Sequence, residues 1–221
     1  MPRQLSFDLP ARQALGREDF FVSPANAAAV AMIESWPDWP SRKLLLTGPK
    51  GAGKSHLAHV WAGLSGGSVV QAASLAKADI PTLARTPVAV ENAQSIAGDA
   101  ATEQALFHLH NLVLAEGHSL LITSRIPPVR WGLELPDLAS RMQGTSQVDL
   151  DAPDDALLGA VLMKLLADRQ LSPSPNLIPY LVRRVDRSFV AAQEIVQRLD
   201  TEALERGAPI TRALAAELLE G

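Results

Sequence analysis

The chain has no cysteine among its 221 residues, a single tyrosine and an aromatic content of only 5%. Without thiols there is neither a disulfide framework nor a thiolate metal site, and thiol redox chemistry is excluded. The same lack fits a reducing compartment, so a cytoplasmic location is expected. Long apolar runs are missing too: no uncharged stretch reaches the ~20 residues that span a bilayer, and Met1-Pro-Arg-Gln-Leu-Ser-Phe7 lacks the apolar centre of a secretory signal. No membrane segment is expected. Nor is there an excess of positive charge, because 20 Lys and Arg stand against 24 Asp and Glu, a net charge of −4. Nucleic-acid affinity comes largely from neutralising phosphates, so this balance argues against a protein whose main task is gripping DNA. What is left, 47% hydrophobic and 20% charged residues, is the composition of an ordinary globular protein. It is long enough for one generous domain, or for a medium domain with a small companion.

One segment carries most of the chemical information. Gly48-Pro-Lys-Gly-Ala-Gly-Lys-Ser55 fits the phosphate-binding pattern G-x-x-x-x-G-K-[ST] at every fixed position. Lys43-Leu-Leu-Leu-Thr47 before it reads as a short buried strand, and His56-Leu-Ala-His-Val-Trp-Ala62 after it reads as a helix. Gly48, Gly51 and Gly53, with Pro49, Lys50 and Ala52 between them, would turn backbone N–H groups around an anion. Lys54 would place a cation on the outer phosphates, the Ser55 hydroxyl would ligate Mg²⁺, and the helix running on through His56 would add its positive end. A nucleotide, ADP or ATP with Mg²⁺, is the expected cofactor.

A phosphate loop needs a partner strand that ends in an acidic residue, to hold the metal and polarise a water. Pro87-Val-Ala-Val-Glu91-Asn92 supplies one, with Glu91 on the metal side and Asn92 where a general base would stand. An amide accepts no proton at neutral pH, so binding with poor intrinsic hydrolysis is expected. At the end of a further strand, Ser119-Leu-Leu-Ile-Thr123, the hydroxyls of Thr123 and Ser124 are candidates to meet the last phosphate or the attacking water. Another strand is expected at Gly67-Ser-Val-Val-Gln71, and helices at Asn26 to Trp36 and Ala101 to Ala115. Strands alternating with helices imply a mainly parallel sheet covered on both faces.

After Asp149 the pattern becomes helical, with expected helices at Asp154 to Arg169, Pro175 to Val185, Ser188 to Arg206 and Thr211 to Leu219. Three parts are therefore expected: an extended tail over 1–12, an α/β nucleotide-binding domain over 13–150 and a helical lid over 151–221. The Pro-bounded tail, Pro2 to Pro10, discourages helix. His56, His59, His108, His110 and His118 are read as packing or surface residues rather than metal ligands.

Taken together, the loop, the strand ending Glu91-Asn92, Thr123-Ser-Arg-Ile-Pro-Pro128 and Leu138-Ala-Ser-Arg141 resemble the AAA+ ATPases of the bacterial initiator DnaA group. The likeness covers about residues 17 to 205. It implies an α/β fold with a P-loop AAA+ parallel sheet flanked by helices and a small all-α lid. Phe21-Val22-Ser-Pro-Ala-Asn26 resembles the segment that cups the adenine in that group, and the chain stops where the initiator's DNA-binding domain would begin. No direct sequence-specific DNA binding is therefore expected.

Gln4-Leu5-Ser6-Phe7-Asp8-Leu9 is similar to the peptides that dock on the replicative sliding clamp, as the regulatory, Hda-type branch of the group carries them. Such a segment offers a Gln amide for hydrogen bonds and apolar side chains for a groove. The resemblance then implies two partners, the DNA polymerase sliding clamp and DnaA itself, with homodimerisation left open. It makes Arg141 an arginine finger acting in trans on the ATP of DnaA. It also places Val190 where a lid arginine is common, with Arg187 one turn earlier as a substitute or a brace. The rival readings are an autonomous AAA+ ATPase of helicase-loader type, a small-molecule kinase and a DNA-binding initiator fragment.

Overall fold

The computed structural model describes residues 21–220, so the expected tail and its Gln4 to Leu9 peptide lie outside the described residues. Five strands form one sheet among them: β1 (Lys43–Thr47), β2 (Ser68–Gln71), β3 (Val88–Glu91), β4 (Leu120–Ser124) and β5 (Gln147–Asp149). Their order is β2-β3-β4-β1-β5, and every pairing is parallel. Parallel strands need crossovers, which put helices on both faces. Here those helices are α1 (Ala27–Glu34), α2 (Lys54–Ser65), the single turn α3 (Ile80–Leu83), α4 (Ala100–Ala115) and α5 (Pro136–Gln143).

Alternation along the strands sorts the core into two halves. Leu45, Val88, Val90, Leu120 and Ile122 pack against Leu106, Leu109 and Val113 of α4. Leu44, Leu46, Ala89 and Leu121 face Ala29 and Ile33 of α1 and Leu57 and Trp61 of α2. A third core belongs to α6 (Asp155–Asp168), α7 (Leu177–Val182), α8 (Phe189–Arg206) and α9 (Arg212–Glu220). Asp154 caps α6 through Leu157 N–H at 2.8 Å, and Ser188 caps α8 through the N–H groups of Val190 and Ala191. Gly207, left-handed at φ 57°, ends α8.

The fold expected from the sequence is the one observed. β1 has the expected bounds, and the other three expected strands are displaced by a residue at one or both ends. α7 is shorter than expected, because Ser172 to Asn176 form no helix and the helix starts only at Leu177. β5 was not expected at all: with three residues and only its middle one half-buried, it shows no pattern to read. No helix among the described residues is long and apolar enough to cross a membrane.

One buried carboxylate links the α/β layers. Glu103, 1% exposed in the first turn of α4, accepts hydrogen bonds from Gly98 N–H at 2.9 Å, Glu134 N–H at 3.0 Å and Leu135 N–H at 2.8 Å. It thereby fixes the chain just before α5, and α5 carries Arg141.

Candidate nucleotide site

Ligands of open parallel sheets gather at the carboxyl ends of the strands, and the loop Gly48 to Gly53 leaves β1 at that edge. Its turns need glycine for stated reasons. Gly51 has φ 79°, and a Cβ there would lie 2.1 Å from Ser188 Oγ. Gly53 has φ 101°, and its Cβ would meet the Phe189 ring at 2.7 Å. The lid thus closes directly on the loop, and Phe189 N–H donates to the Gly51 carbonyl at 2.8 Å. Gly48 is held by its own N–H, which donates to the Ser124 carbonyl at 3.2 Å, while Ala52 turns into the core.

Lys54, only 8% exposed, opens α2. Its Nζ donates to the carbonyls of Gly48 at 2.7 Å and Pro49 at 2.6 Å. Burial, with the nearby Arg125 cation adding to it, pulls Lys54 down to about 8, against the opposing pull of Glu91.

Glu91 is 4% exposed at the end of β3. Gln71 Nε2, at the end of the neighbouring β2, donates to Glu91 Oε2 at 2.6 Å, and Asn92 Nδ2 donates to Gln71 Oε1 at 3.0 Å. Glu91 Oε1 is buried with no hydrogen-bond partner. A buried carboxylate oxygen left over beside a lysine and a phosphate loop fits Mg²⁺, a hard cation that takes one or two protein oxygens and fills its shell with phosphates and water. Ser55, exposed on the first turn of α2, would hold the metal beside it. Asn92 adopts a left-handed φ of 56°, and its N–H donates to Thr123 Oγ1 at 3.2 Å.

These groups border a cavity of about 420 Å³ between sheet edge and lid, large enough for a nucleotide. Lys50, Lys54, Ser55, Asn92, Thr123 and Arg125 line the phosphate end. Phe21, His56, His59, Val161, Leu165 and Gln193 line the rest.

Most of the residues expected at the site are therefore brought together, and several are not. Val22 lines a separate apolar groove with Val30, Ile33 and Leu64. Pro49 contributes only its carbonyl. Arg187 is outside the cavity: its guanidinium pairs with Asp155 Oδ1 at 2.7 Å, so it braces the lid rather than meeting a phosphate, while Val190 does line the cavity. Ser124 is fully buried, its hydroxyl donating to the Ile126 carbonyl at 2.7 Å.

Arg141 also stays away from this cavity. Its carbonyl accepts from Lys43 Nζ at 3.3 Å, and Lys43 begins β1 at the end opposite the loop. Thr145 Oγ1 donates to the same carbonyl at 2.8 Å, and the Arg141 guanidinium lies 5.7 Å from the centre of the Phe107 ring.

Gln71, Arg125 and Phe189 are contributors not expected from the sequence, as are His59 and the lid residues Val161, Lys164, Leu165, Asp168 and Gln193. Gln71 and Arg125 were within reach, because each sits at or just past the carboxyl end of an expected strand.

A five-stranded parallel sheet with a phosphate loop after β1, an acidic residue ending β3, a polar residue ending β4 and a helical lid over the cleft is the AAA+ fold. Within that class the likeness is to domain III of the replication initiator DnaA. The structure superposes on that domain from Thermotoga maritima with a TM-score of 0.80, at 18% identity over 96% of this chain and 98% of the other. AMPPCP-bound DnaA from Aquifex aeolicus gives 0.70 at 17% identity over 86% and 66%, and a RuvB variant from Thermotoga maritima gives 0.69 at 15% over 92% and 70%. In sequence, the chain is 26% identical over 229 residues to the chromosomal replication initiator protein DnaA of Thermomicrobium roseum, covering 91% of this chain and 48% of that protein. It spans about half the length of the curated relative it matches. No family model matches the chain. The chain thus has the AAA+ fold and is similar to domain III of DnaA.

Proposed function

We propose that this chain is a nucleotide-binding regulator of replication initiation, of the Hda type. In this reading residues 13–150 and the lid over 151–221 hold ADP or ATP with Mg²⁺ as a structural ligand. The tail over 1–12 docks on the sliding clamp in the cytoplasm through Gln4 to Leu9, and Arg141 promotes hydrolysis of the ATP held by DnaA. The observation that carries the reading is the separation of Arg141 from the chain's own cavity. An exposed guanidinium, held over Phe107 on a helix anchored by Glu103, is presented to a neighbour and not to the chain's own nucleotide. Support for weak turnover comes from Asn92, whose amide is engaged by Gln71 and accepts no proton.

A second reading, an autonomous initiator-type ATPase, is favoured by one observation. Lys54, Ser55 and Thr123 line one cavity, the lysine and hydroxyls that a working ATPase gathers around its phosphates. Calorimetry separates the two. The full chain should bind purified clamp, a synthetic peptide of residues 1 to 12 should compete with it, and a chain lacking those residues should not bind. A full chain that gives no heat with the clamp removes the recruitment step and leaves the autonomous reading.

A further inference from the structure

We propose that Arg184 and Arg212, gathered around Tyr180 on the lid, form a docking site for a short acidic segment of a partner protein. The site is separate from the nucleotide reading, since none of the three residues lines that cavity.

The fold brings the two arginines together from different helices. Tyr180 lies in α7, and the helical turn runs on past Val182, because the N–H groups of Arg184 and Val185 both donate to the Leu181 carbonyl, at 3.0 and 2.8 Å. Arg184 therefore stands one turn beyond Tyr180 on the same face. Arg212 opens α9, which joins α7 in the lid core through Leu181, Ile210 and Leu214. Ser174 N–H donates to the Ile210 carbonyl at 3.3 Å, fixing the approach to α9 beside the approach to α7. Both guanidinium groups end over one ring: Arg184 Cζ lies 4.2 Å and Arg212 Cζ 5.2 Å from the centre of Tyr180. The tyrosine is only 7% exposed, whereas both arginines are exposed.

Among the described residues, neither arginine is in an ion pair, and exposed Arg183 beside them shares that lack. The lid's other arginines are tied: Arg169 to Asp200, Arg187 to Asp155, Arg206 to Glu202 and Glu217, and Arg198 to the Leu218 carbonyl. Cations brought onto one ring repel each other, and an anion between them relieves that repulsion. Planar guanidinium groups match carboxylates with two parallel donors, and the ring beneath holds them in place before the partner arrives. A nucleic acid fits less well, because its phosphates continue along the whole strand. Acidic residues outnumber basic ones in the lid, and Asp186, Glu217 and Glu220 are exposed near this patch in sequence. A short segment with a few carboxylates engages the cations without running on into those acids.

The test is fluorescence anisotropy on the full chain with labelled hexaglutamate peptide, and with a short labelled DNA duplex as the second probe. The peptide should bind, and binding should weaken as salt rises towards about 0.15 M. The double variant Arg184→Gln/Arg212→Gln should weaken the peptide about tenfold or more, and Arg184→Lys/Arg212→Lys should recover only part of the loss. Arg169→Gln, which removes one charge elsewhere on the lid, should change peptide binding less than about twofold. Unchanged circular dichroism reports that each variant is folded. No peptide binding by the full chain, equal binding by the Gln double variant, or an equal loss with Arg169→Gln would overturn the site. Tighter binding of the duplex than of the peptide would overturn the assignment to an acidic segment.

Discussion

Replacing Arg141 by Ala should return DnaA's ATP hydrolysis to its unstimulated rate in a reaction containing clamp-loaded DNA, a loss of about 10³-fold or more. The size follows from the role, because an arginine finger stabilises charge on the transferring phosphoryl group and little replaces it. In the proposed function Arg141 acts on a neighbour's nucleotide, and its position supports that reading. α5 presents Arg141 at the end of β1 opposite the phosphate loop, so the chain's own nucleotide is out of reach. Phe107 supports the guanidinium from beneath, and the carbonyl is held by Lys43 and Thr145. The variant should therefore keep its fold, its clamp binding and its own nucleotide. Arg141→Lys should recover little, since an ammonium cannot reproduce the two-pronged contact. Stimulation that survives Arg141→Ala would remove this residue from the reaction.

The second large effect is on stability. His110 lies in α4, 1% exposed, with Nδ1 3.2 Å from Asn111 Oδ1 and Nε2 without a partner. The amide oxygen accepts, so Nδ1 carries the proton and the ring is neutral. Burial pushes His110 down to about 4; the Asn111 contact opposes this, and the cations Lys43 and Arg141 add to the fall.

The direction of the pH effect follows. The unfolded chain takes up a proton near pH 6.5 and the folded chain only near 4, so the unfolded state binds more protons between those values. Stability is full above pH 6.5 and falls as pH drops towards 4, by about 1.4 kcal/mol per unit and about 3 kcal/mol in all. Urea unfolding at about pH 6.5 and about pH 4.5 should show this slope. His110→Leu should flatten it by about 1.4 kcal/mol per unit, because a leucine takes up no proton. Parallel pH dependence in the two proteins would contradict the assignment. A charged His110 would also be repelled by the cations Lys43 and Arg141.

The sequence was most informative where backbone chemistry leaves little choice. A phosphate loop has few ways to turn, so Gly51, Gly53, Lys54 and Ser55 were readable as a unit, and the structure sets them together at the turn from β1 into α2. Buried strands with continuous apolar runs, such as Leu44 to Leu46, were equally legible. Legibility failed where tertiary context decides. Three-residue β5 exists because β1 offers it an open edge, which no local pattern announces. Arg187 was a candidate for the nucleotide by its spacing from Val190, but the N-terminus of α6 places Asp155 within 2.7 Å of it. Gln71 joined the site only because β2 and β3 align their ends, setting Gln71 opposite Glu91. Phe189 became a wall of the loop through the docking of the lid, a long-range contact.

In the proposed function this chain keeps its nucleotide as a support and performs its chemistry on another protein's ATP. The most direct test is the rate at which the isolated chain, saturated with Mg²⁺ and ATP, releases phosphate. Nucleotide should bind at one per chain with turnover of about 10⁻³ s⁻¹ or slower, the range of a phosphate-loop site without its activating residues. Sustained turnover of ~1 s⁻¹ by the isolated chain would contradict it and identify the site as a motor.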